Sequence, residues 1–168
     1  FRELANKKFF RLKLGHEVRL KNAYIIKAND VVKDDSGKIL EIHCTYDEDS
    51  KSGSGTEASM RKVKGTIHWV SIEHALQAEV RLYDRLFTHE APDSDKDKDF
   101  KDYINPESLQ VIPAAYLEPS LENVNPGDHF QFQRLGYFNV DDDSRPGSLV
   151  FNRTVALRDS WARMEQKK

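Results

Sequence analysis

Residues 15–22 read GHEVRLKN, and residues 127–134 read GDHFQFQR. Both stretches begin with glycine and then alternate polar with apolar side chains, which is the period of a β-strand with one buried face. Aligned on their glycines, they place Arg19 opposite Gln131. Similarity of this kind favours a repeated structural unit, although alternation alone would produce part of the match. A duplicated β unit and two independent strands are therefore both open at this point.

The same alternation continues outward from these two stretches. We predict one strand over residues 17–27, which pairs as a hairpin with a second strand over residues 40–46. Residues 47–58 contain Ser-Gly-Ser-Gly and few apolar groups, which predicts a mobile loop. Further strands are predicted at residues 63–69, 80–87, 109–111, 130–132, 137–140 and 150–157, with turns at Pro113, Pro119, Pro126-Gly127 and Pro146-Gly147. Ser71 is predicted to cap one helical turn through Ala75, and residues 159–166 are predicted to form a short helix. Many short strands between turns indicate an all-β sandwich or barrel.

The length, charge and cysteine content of the chain limit its number of domains and its class of protein. The 168 residues make one or two small domains, and because the chain starts at Phe1 we expect it to be a piece of a longer protein. A net charge of -2 conceals an asymmetry, since residues 1–27 contain eight basic and two acidic residues and the remainder carries -8. Such a basic segment is either a solvated face or a surface that attracts phosphates. The single cysteine, Cys44, excludes a disulfide framework and favours a cytoplasmic protein without a membrane partner.

Catalytic and metal-binding signatures are poor. The sequence has no Walker loop, no dinucleotide glycine fingerprint and no nucleophile elbow. His68 and His74 could share a metal ion, but two histidines without further ligands are more often structural, so we predict no metal site. Asp128 and His129 are adjacent on a strand, so their side chains point to opposite faces and cannot act together as acid and base.

Binding of single-stranded RNA is better supported by the residue types. Arg11, Arg19 and Lys21 can contact phosphates, while Gln131 and its neighbours can donate and accept at base edges. Unstacked bases are read by long planar side chains of this kind, so the sequence predicts an RNA-binding surface. The residue types point to Arg11, Arg19, Lys21, Gln131, Gln133 and Arg134, and the alignment of the two stretches adds Asn22 opposite Arg134.

Five ordered segments carry a resemblance to a known family. They are LGHEVRLKNAYIIKA from Leu14, RKVKGTIHWVSIEHALQAEVRLYDRLF from Arg61, INPESL from Ile104, FQFQRLGYF from Phe130 and VFNRTVALRDSWA from Val150. Together they span nearly the whole chain and resemble the C-terminal, anticodon-binding region of glutaminyl-tRNA synthetases.

The resemblance implies a fold, a division of the chain and a partner. It implies two ribosomal-protein-like β-barrels related by duplication with strand exchange, with short helices between strands. The first barrel portion would be residues 1–87 and the second residues 88–168. Catalysis, with its ATP and magnesium, would belong to upstream domains of the same chain, so this part would hold no cofactor. The partner would be the anticodon loop of glutamine tRNA, with no role for DNA.

The resemblance also implies roles for individual residues. Lys8 and Arg11 would lie near the third anticodon base, Arg19 and Lys21 near the first, and Gln131 and Arg134 near the central uracil. Lysine at position 21 departs from the arginine expected there and cannot form a bidentate fork, so its role would be reduced to phosphate contact. Lys8 departs from an expected glutamine. The alternatives are the anticodon-binding region of a eukaryotic-type glutamyl-tRNA synthetase and a non-enzymatic RNA-binding barrel protein.

Overall fold

A computed structural model describes residues 1–4, 9–94 and 96–157. Its strands are β1 (Glu17–Leu20), β2 (Ile25–Lys33), β3 (Ile39–Asp47), β4 (Thr66–Ile67), β5 (Leu76–Tyr83), β6 (Leu109–Leu117), β7 (His129–Phe132), β8 (Gly136–Val140) and β9 (Leu149–Ala156). The helical elements are α1 (Glu57–Met60) and 3-10 turns at Glu48–Ser50, Phe100–Tyr103 and Pro119–Leu121. Strands dominate and the helices are short, which confirms the predicted all-β class.

The first sheet has the strand order β3-β2-β1-β4. β1 pairs antiparallel with β2, so that Val18 lies opposite Ile26, and it pairs parallel with the two-residue strand β4. Val18, Ala28 and Leu12 form the buried centre of this part. Because burial of a Val or Leu side chain contributes about 1.5–3 kcal/mol, Val18 fixes which face of β1 turns inward. Arg19, the next residue, lies on the opposite face.

The single strand predicted over residues 17–27 is wrong, because β1 ends at Leu20 and β2 begins at Ile25. Asn22 lies in the turn between them with φ 59°, a left-handed conformation that asparagine adopts more readily than most residues. Polar and apolar residues keep alternating across this change of chain direction, because Val18 and Ile26 are cross-strand partners and share one face of the sheet. The alternation in the sequence therefore could not reveal the turn. The hairpin predicted with the next strand is confirmed by the antiparallel pairing of β2 with β3.

The second sheet has the strand order β6-β5-β9-β8-β7. β5 and β9 are parallel, and the other neighbours are antiparallel. Phe151 on β9 is fully buried, and Val140 on β8 is 1% exposed. Phe132 on β7 stacks on Phe138 with 4.5 Å between ring centroids. The aromatic core attaches the β7–β8 hairpin firmly to the rest of the sheet.

Pro113 lies inside β6 and does not end it, contrary to the predicted turn. Its neighbours Ile112 and Ala115 pair with Val80 and Ala78, and the register shifts between these two pairs. Proline has no N–H for a sheet ladder, so strands tolerate it at edges and bulges. β6 is an edge strand and Pro113 lies in its irregular stretch, which explains why the strand continues.

Residues 47–58 are more ordered than the predicted mobile loop. A 3-10 turn over Glu48–Ser50 follows β3 directly, and α1 begins after the cap residue Thr56, whose side chain accepts from the backbone N–H of Ser59. Ser50 is fully buried. Order in this segment comes from polar side chains that bond to backbone groups rather than from apolar burial, so hydrophobicity gave no sign of it.

One smaller prediction differs from the structure, and one lies outside it. The strand predicted over residues 63–69 is reduced to β4. Residues 71–75 form the predicted single turn, in which the Ala75 N–H donates to the Ser71 carbonyl at 2.8 Å, the i to i+4 bond of one helical turn. The helix predicted over residues 159–166 lies outside the described residues. The remaining strands predicted from alternation correspond to β5, β6, β7, β8 and β9.

Neither sheet closes into a barrel among residues 1–4, 9–94 and 96–157. The chain forms two compact units, Phe1–Trp69 and Val70–Lys168, each with one sheet. Residues 70–87, which the sequence division placed in the first barrel portion, lie in the second unit. Two barrels related by duplication with strand exchange stay a prediction.

Candidate nucleic-acid interface

The turn between β1 and β2 carries three of the predicted RNA-binding residues in and around it. Lys21 and Asn22 lie in the turn, where Asn22 is exposed and Lys21 is half-buried. The Lys21 N–H donates to the Ile67 carbonyl at 2.9 Å, and the indole N–H of Trp69 donates to the Lys21 carbonyl at 3.0 Å. The backbone of Lys21 is therefore held on both sides, and its ammonium-bearing chain extends from a fixed point. Arg19 precedes the turn on β1.

The turn between β7 and β8 carries the other predicted residues. Gln131 and Arg134 are exposed, and Gln131 lies opposite Tyr137 in the ladder. Arg134 has φ 66°. Non-glycine residues with positive φ are uncommon, and backbone strain of this kind clusters at functional sites. An arginine kept in this conformation thus marks the turn as a candidate site.

The two hairpins have the same backbone hydrogen bonds. The N–H of Gly15 donates to the Ala28 carbonyl at 2.8 Å, and that of Gly127 donates to the Val140 carbonyl at 2.9 Å. The strand pairing also recurs with a constant offset of 112 residues. Val18 lies opposite Ile26 as Phe130 lies opposite Phe138, and Arg19 lies opposite Ile25 as Gln131 lies opposite Tyr137. In the turns, the Ala23 N–H donates to the Leu20 carbonyl as the Leu135 N–H donates to the Phe132 carbonyl. This repeat supports the predicted duplication, and it makes Asn22 and Arg134 structurally equivalent.

Arg19 is surrounded by acceptors from its own unit. Its Nη1 donates to the Ser50 carbonyl at 2.6 Å, to Ser52 Oγ at 3.2 Å and to the Ala23 carbonyl at 3.3 Å. Its Nη2 donates to the carbonyls of Ser59 at 2.9 Å and of Arg61 at 3.2 Å. The guanidinium therefore joins the hairpin turn to the segment that follows β3.

Arg61 makes a second cross-link beside Arg19. Its guanidinium donates to Glu17 at 2.6 Å and to Asp47 at 3.2 Å. The hydrogen bond from Arg61 holds the pKa of Glu17 below its ordinary 4.5, although partial desolvation acts the other way. The same two carboxylates raise the pKa of Arg61. This ionised bridge ties the start of β1 to the end of β3.

The structure places the remaining predicted residues as follows. Arg11 is exposed and directly precedes the buried Leu12. The backbone beside it passes close to Gly65, where an added Cβ would lie 2.5 Å from the Phe10 carbonyl oxygen. Lys8 lies outside the described residues. Arg11, Arg19, Lys21 and Asn22 thus belong to the first unit, and Gln131 and Arg134 belong to the second.

Ser50 is the positioning residue that sequence reasoning missed. Its hydroxyl accepts from the Ile25 N–H at 2.8 Å and donates to the Asp47 carbonyl at 2.5 Å, while its own carbonyl accepts from Arg19. The sequence signal that could have revealed this ordered segment was a pattern of capping residues on either side of Ser50. Asp47 accepts from the Asp49 N–H, and Thr56 precedes a helix start, both of which are typical of ordered turns.

The described ranges contain no group of three or more His, Cys, Asp or Glu side chains that could hold a metal ion. In the same ranges no helix combines the length and apolar character required to cross a membrane.

Two segments match families of the same description, class I tRNA synthetases (E and Q), anticodon-binding domain. The segments are residues 4–47 and residues 66–141, and together they cover more than half of the chain. The chain belongs to this family. The first match contains the β1–β2 hairpin and the second contains the β7–β8 hairpin, so both candidate turns of this anticodon-binding region fall within the family's own domains.

Similarity to individual proteins extends over nearly the whole anticodon-binding region. Glutamine–tRNA ligase of Rhodopirellula baltica is 54% identical over 168 residues, 99% of this chain and 28% of that protein. The corresponding ligases of Nitrosomonas europaea and Yersinia enterocolitica are 56% identical over 162 residues and 53% identical over 163 residues. Each comparison covers 96% of this chain, and 29% and 28% of the relative. The chain therefore spans less than a third of the length of the curated relatives it matches.

Proposed function

We propose that this chain recognises the anticodon loop of glutamine tRNA as part of a glutamine–tRNA ligase. Support comes from identity of 53–56% to proteins named glutamine–tRNA ligase over 96–99% of the chain. The family covers both E and Q synthetases, and it is the names of these relatives that favour glutamine over glutamate. Their similarity across the whole chain also disfavours a free-standing RNA-binding barrel.

The two hairpin turns would supply complementary contacts to the RNA. Arg11 and Lys21 carry charge that can neutralise phosphates, and the counterions released on contact would contribute affinity that declines with salt. Gln131 can donate and accept at once, which suits the mixed edge of an unstacked uracil, and Arg134 can contact a base or phosphate beside it. Phosphate contacts would set the register of the loop, and base contacts would select its sequence.

The chemistry of aminoacylation would be performed elsewhere in the same protein. In the ligase, ATP and magnesium would be held by upstream catalytic domains, to which this region would be attached. The role of the anticodon-binding units in the ligase would be to select the correct tRNA and so deliver its acceptor end to the catalytic domains. We place the protein in the cytoplasm, where translation requires it.

Aminoacylation by the complete ligase tests this proposal. The protein should attach glutamine to glutamine tRNA, and it should attach no glutamate to either glutamine or glutamate tRNA. The dissociation constant for glutamine tRNA should rise with salt, by about 0.7–0.9 log unit per log unit of salt for each phosphate that the protein neutralises. Charging with glutamate would replace the proposal by the glutamyl alternative. Absence of salt-dependent tRNA binding by the folded protein would overturn the RNA-binding surface itself.

A further inference from the structure

The terminal nitrogens of the Arg19 guanidinium are fully occupied within the protein. A guanidinium has five N–H donors, four of which are on Nη1 and Nη2. Five acceptors face these four donors at 2.6–3.3 Å; they are the backbone carbonyls of Ser50, Ser59, Arg61 and Ala23 and the hydroxyl of Ser52. A phosphate or base could take one of these four donors only by displacing an acceptor of the protein itself. Arg19 is thus poorly placed to contact RNA directly.

The acceptors around Arg19 connect the hairpin turn to one continuous segment. Ala23 belongs to the turn, and its carbonyl also accepts from the N–H of Ser52 at 3.1 Å and from the hydroxyl of Ser52 at 2.8 Å. Ser50 is fixed to the start of β2 through the Ile25 N–H. The turn therefore rests on residues 50–61 through Arg19, while Ile67 and Trp69 hold the backbone of Lys21 from the other side.

We propose that Arg19 is a positioning residue, which holds Lys21 and Asn22 in place to contact RNA and does not contact RNA itself. The proposal rests on the proposed function and replaces the base contact that the family resemblance implied for Arg19. Lysine cannot substitute, since an ammonium has three donors and lacks the planar fork that reaches several carbonyls at once. A positive charge at position 19 is therefore insufficient to hold the turn unless the side chain also has the shape of a guanidinium.

A double-mutant cycle in the complete ligase tests this role. Arg19→Lys, Lys21→Gln and the double variant are compared by their dissociation constants for glutamine tRNA over a salt series, with folding checked by urea unfolding. We expect Arg19→Lys to weaken binding about 5-fold or more although charge is kept, and to weaken it by a clearly smaller factor in the Lys21→Gln background, where only the contact of Asn22 is left to lose. Arg19→Lys and Lys21→Gln should each lower the salt slope by the same amount, about 0.7–0.9, and the double variant by no more.

Ser52→Ala provides a second variant in case Arg19→Lys does not fold. It removes one acceptor of Arg19 and one bond to the turn without changing any charge, so we expect about 2-fold weaker tRNA binding and a smaller effect in the Lys21→Gln background. The positioning role would be overturned if the fold-changes in dissociation constant at position 19 or 52 simply multiplied with that at position 21, or if Arg19→Lys left the affinity unchanged. Either result would leave the proposed function intact. Absence of tRNA binding by the unmodified ligase would overturn both.

Discussion

Asn22 and Arg134 stand 112 residues apart at the same place in two hairpins, and both have a positive φ, 59° and 66°. In each hairpin the residue that follows donates its N–H to the carbonyl of the last residue of the preceding strand, at 3.0 Å for Ala23 and 2.9 Å for Leu135. Left-handed backbone costs a non-glycine residue about 1–2 kcal/mol. Two equivalent turns that both keep a polar side chain in this conformation suggest that the side chains serve a purpose other than folding.

Glycine at these two positions should separate folding from binding. We predict that Asn22→Gly and Arg134→Gly leave the free energy of unfolding unchanged or raise it by up to about 1 kcal/mol, because glycine adopts positive φ without steric conflict. Both variants should bind glutamine tRNA more weakly. Asn22→Val is the matched control, since a β-branched residue is disfavoured at positive φ, and it should lower the free energy of unfolding. A loss of stability in both glycine variants would contradict the strain that we assign to these turns.

Alternating polarity was sufficient to predict most of the second sheet, and the echo between residues 15–22 and 127–134 predicted the equivalence of the two hairpins. Local pattern could not show the turn at Asn22, because cross-strand pairing preserved the alternation. It also could not show the role of Arg19, whose acceptors Ser50 and Arg61 lie 31 and 42 residues away. Contacts of such separation depend on how the strands pair, which the residue types alone do not determine.

Gly65 should be sensitive to a single methyl group. A Cβ there would lie 2.5 Å from the Phe10 carbonyl oxygen and 3.1 Å from Val18 Cγ1, so Gly65→Ala should lower the free energy of unfolding by about 1–3 kcal/mol through overpacking. Gly53→Ala is the comparison, since Gly53 has φ +84° but open space around it, and it should lower the free energy of unfolding by about 1 kcal/mol from conformation alone. Urea unfolding of both variants measures this, and equal small decreases would argue against the close approach.

Asp141 should make stability depend on pH. It accepts from the Asp143 N–H at 2.8 Å and from the Asn152 amide, and these bonds hold the pKa of Asp141 below its ordinary 3.8. A carboxylate whose pKa is lowered by folding stabilises the protein above its unfolded pKa, and this contribution is lost as pH falls through the lower folded value. We therefore expect Asp141→Asn to reduce the free energy of unfolding by about 1–2 kcal/mol near pH 7.

The difference between Asp141→Asn and the unmodified protein should narrow as pH falls below about 4. Urea unfolding over a pH series gives this difference directly. Asp142→Asn serves as the control, because it removes the same charge from an exposed neighbour and should have a smaller effect throughout. A gap for Asp141→Asn that stays constant from neutral pH down to about pH 3 would show that the ionised carboxylate is not the source of the stabilisation.

Gln131 is predicted to distinguish the central anticodon base. In the complete ligase, Gln131→Ala should reduce kcat/KM for the normal tRNA more than for a tRNA whose central anticodon base is altered, by about 1–3 kcal/mol of transition-state free energy. Gln133→Ala is the matched control on the same hairpin, since Gln133 is also exposed. If both variants leave the ratio of the two efficiencies unchanged while remaining folded, Gln131 does not read that base.

Pro113 has a consequence for how this protein meets other chains. An edge strand such as β6 offers a row of backbone donors and acceptors on which an extended peptide can add a further strand. Pro113 leaves β6 with one backbone donor fewer near its middle, and the register shift beside it interrupts the regular pairing. A strand added along β6 would therefore meet an irregular ladder at this point. Proline within an edge strand is one of the features by which natural sheets limit pairing with further strands.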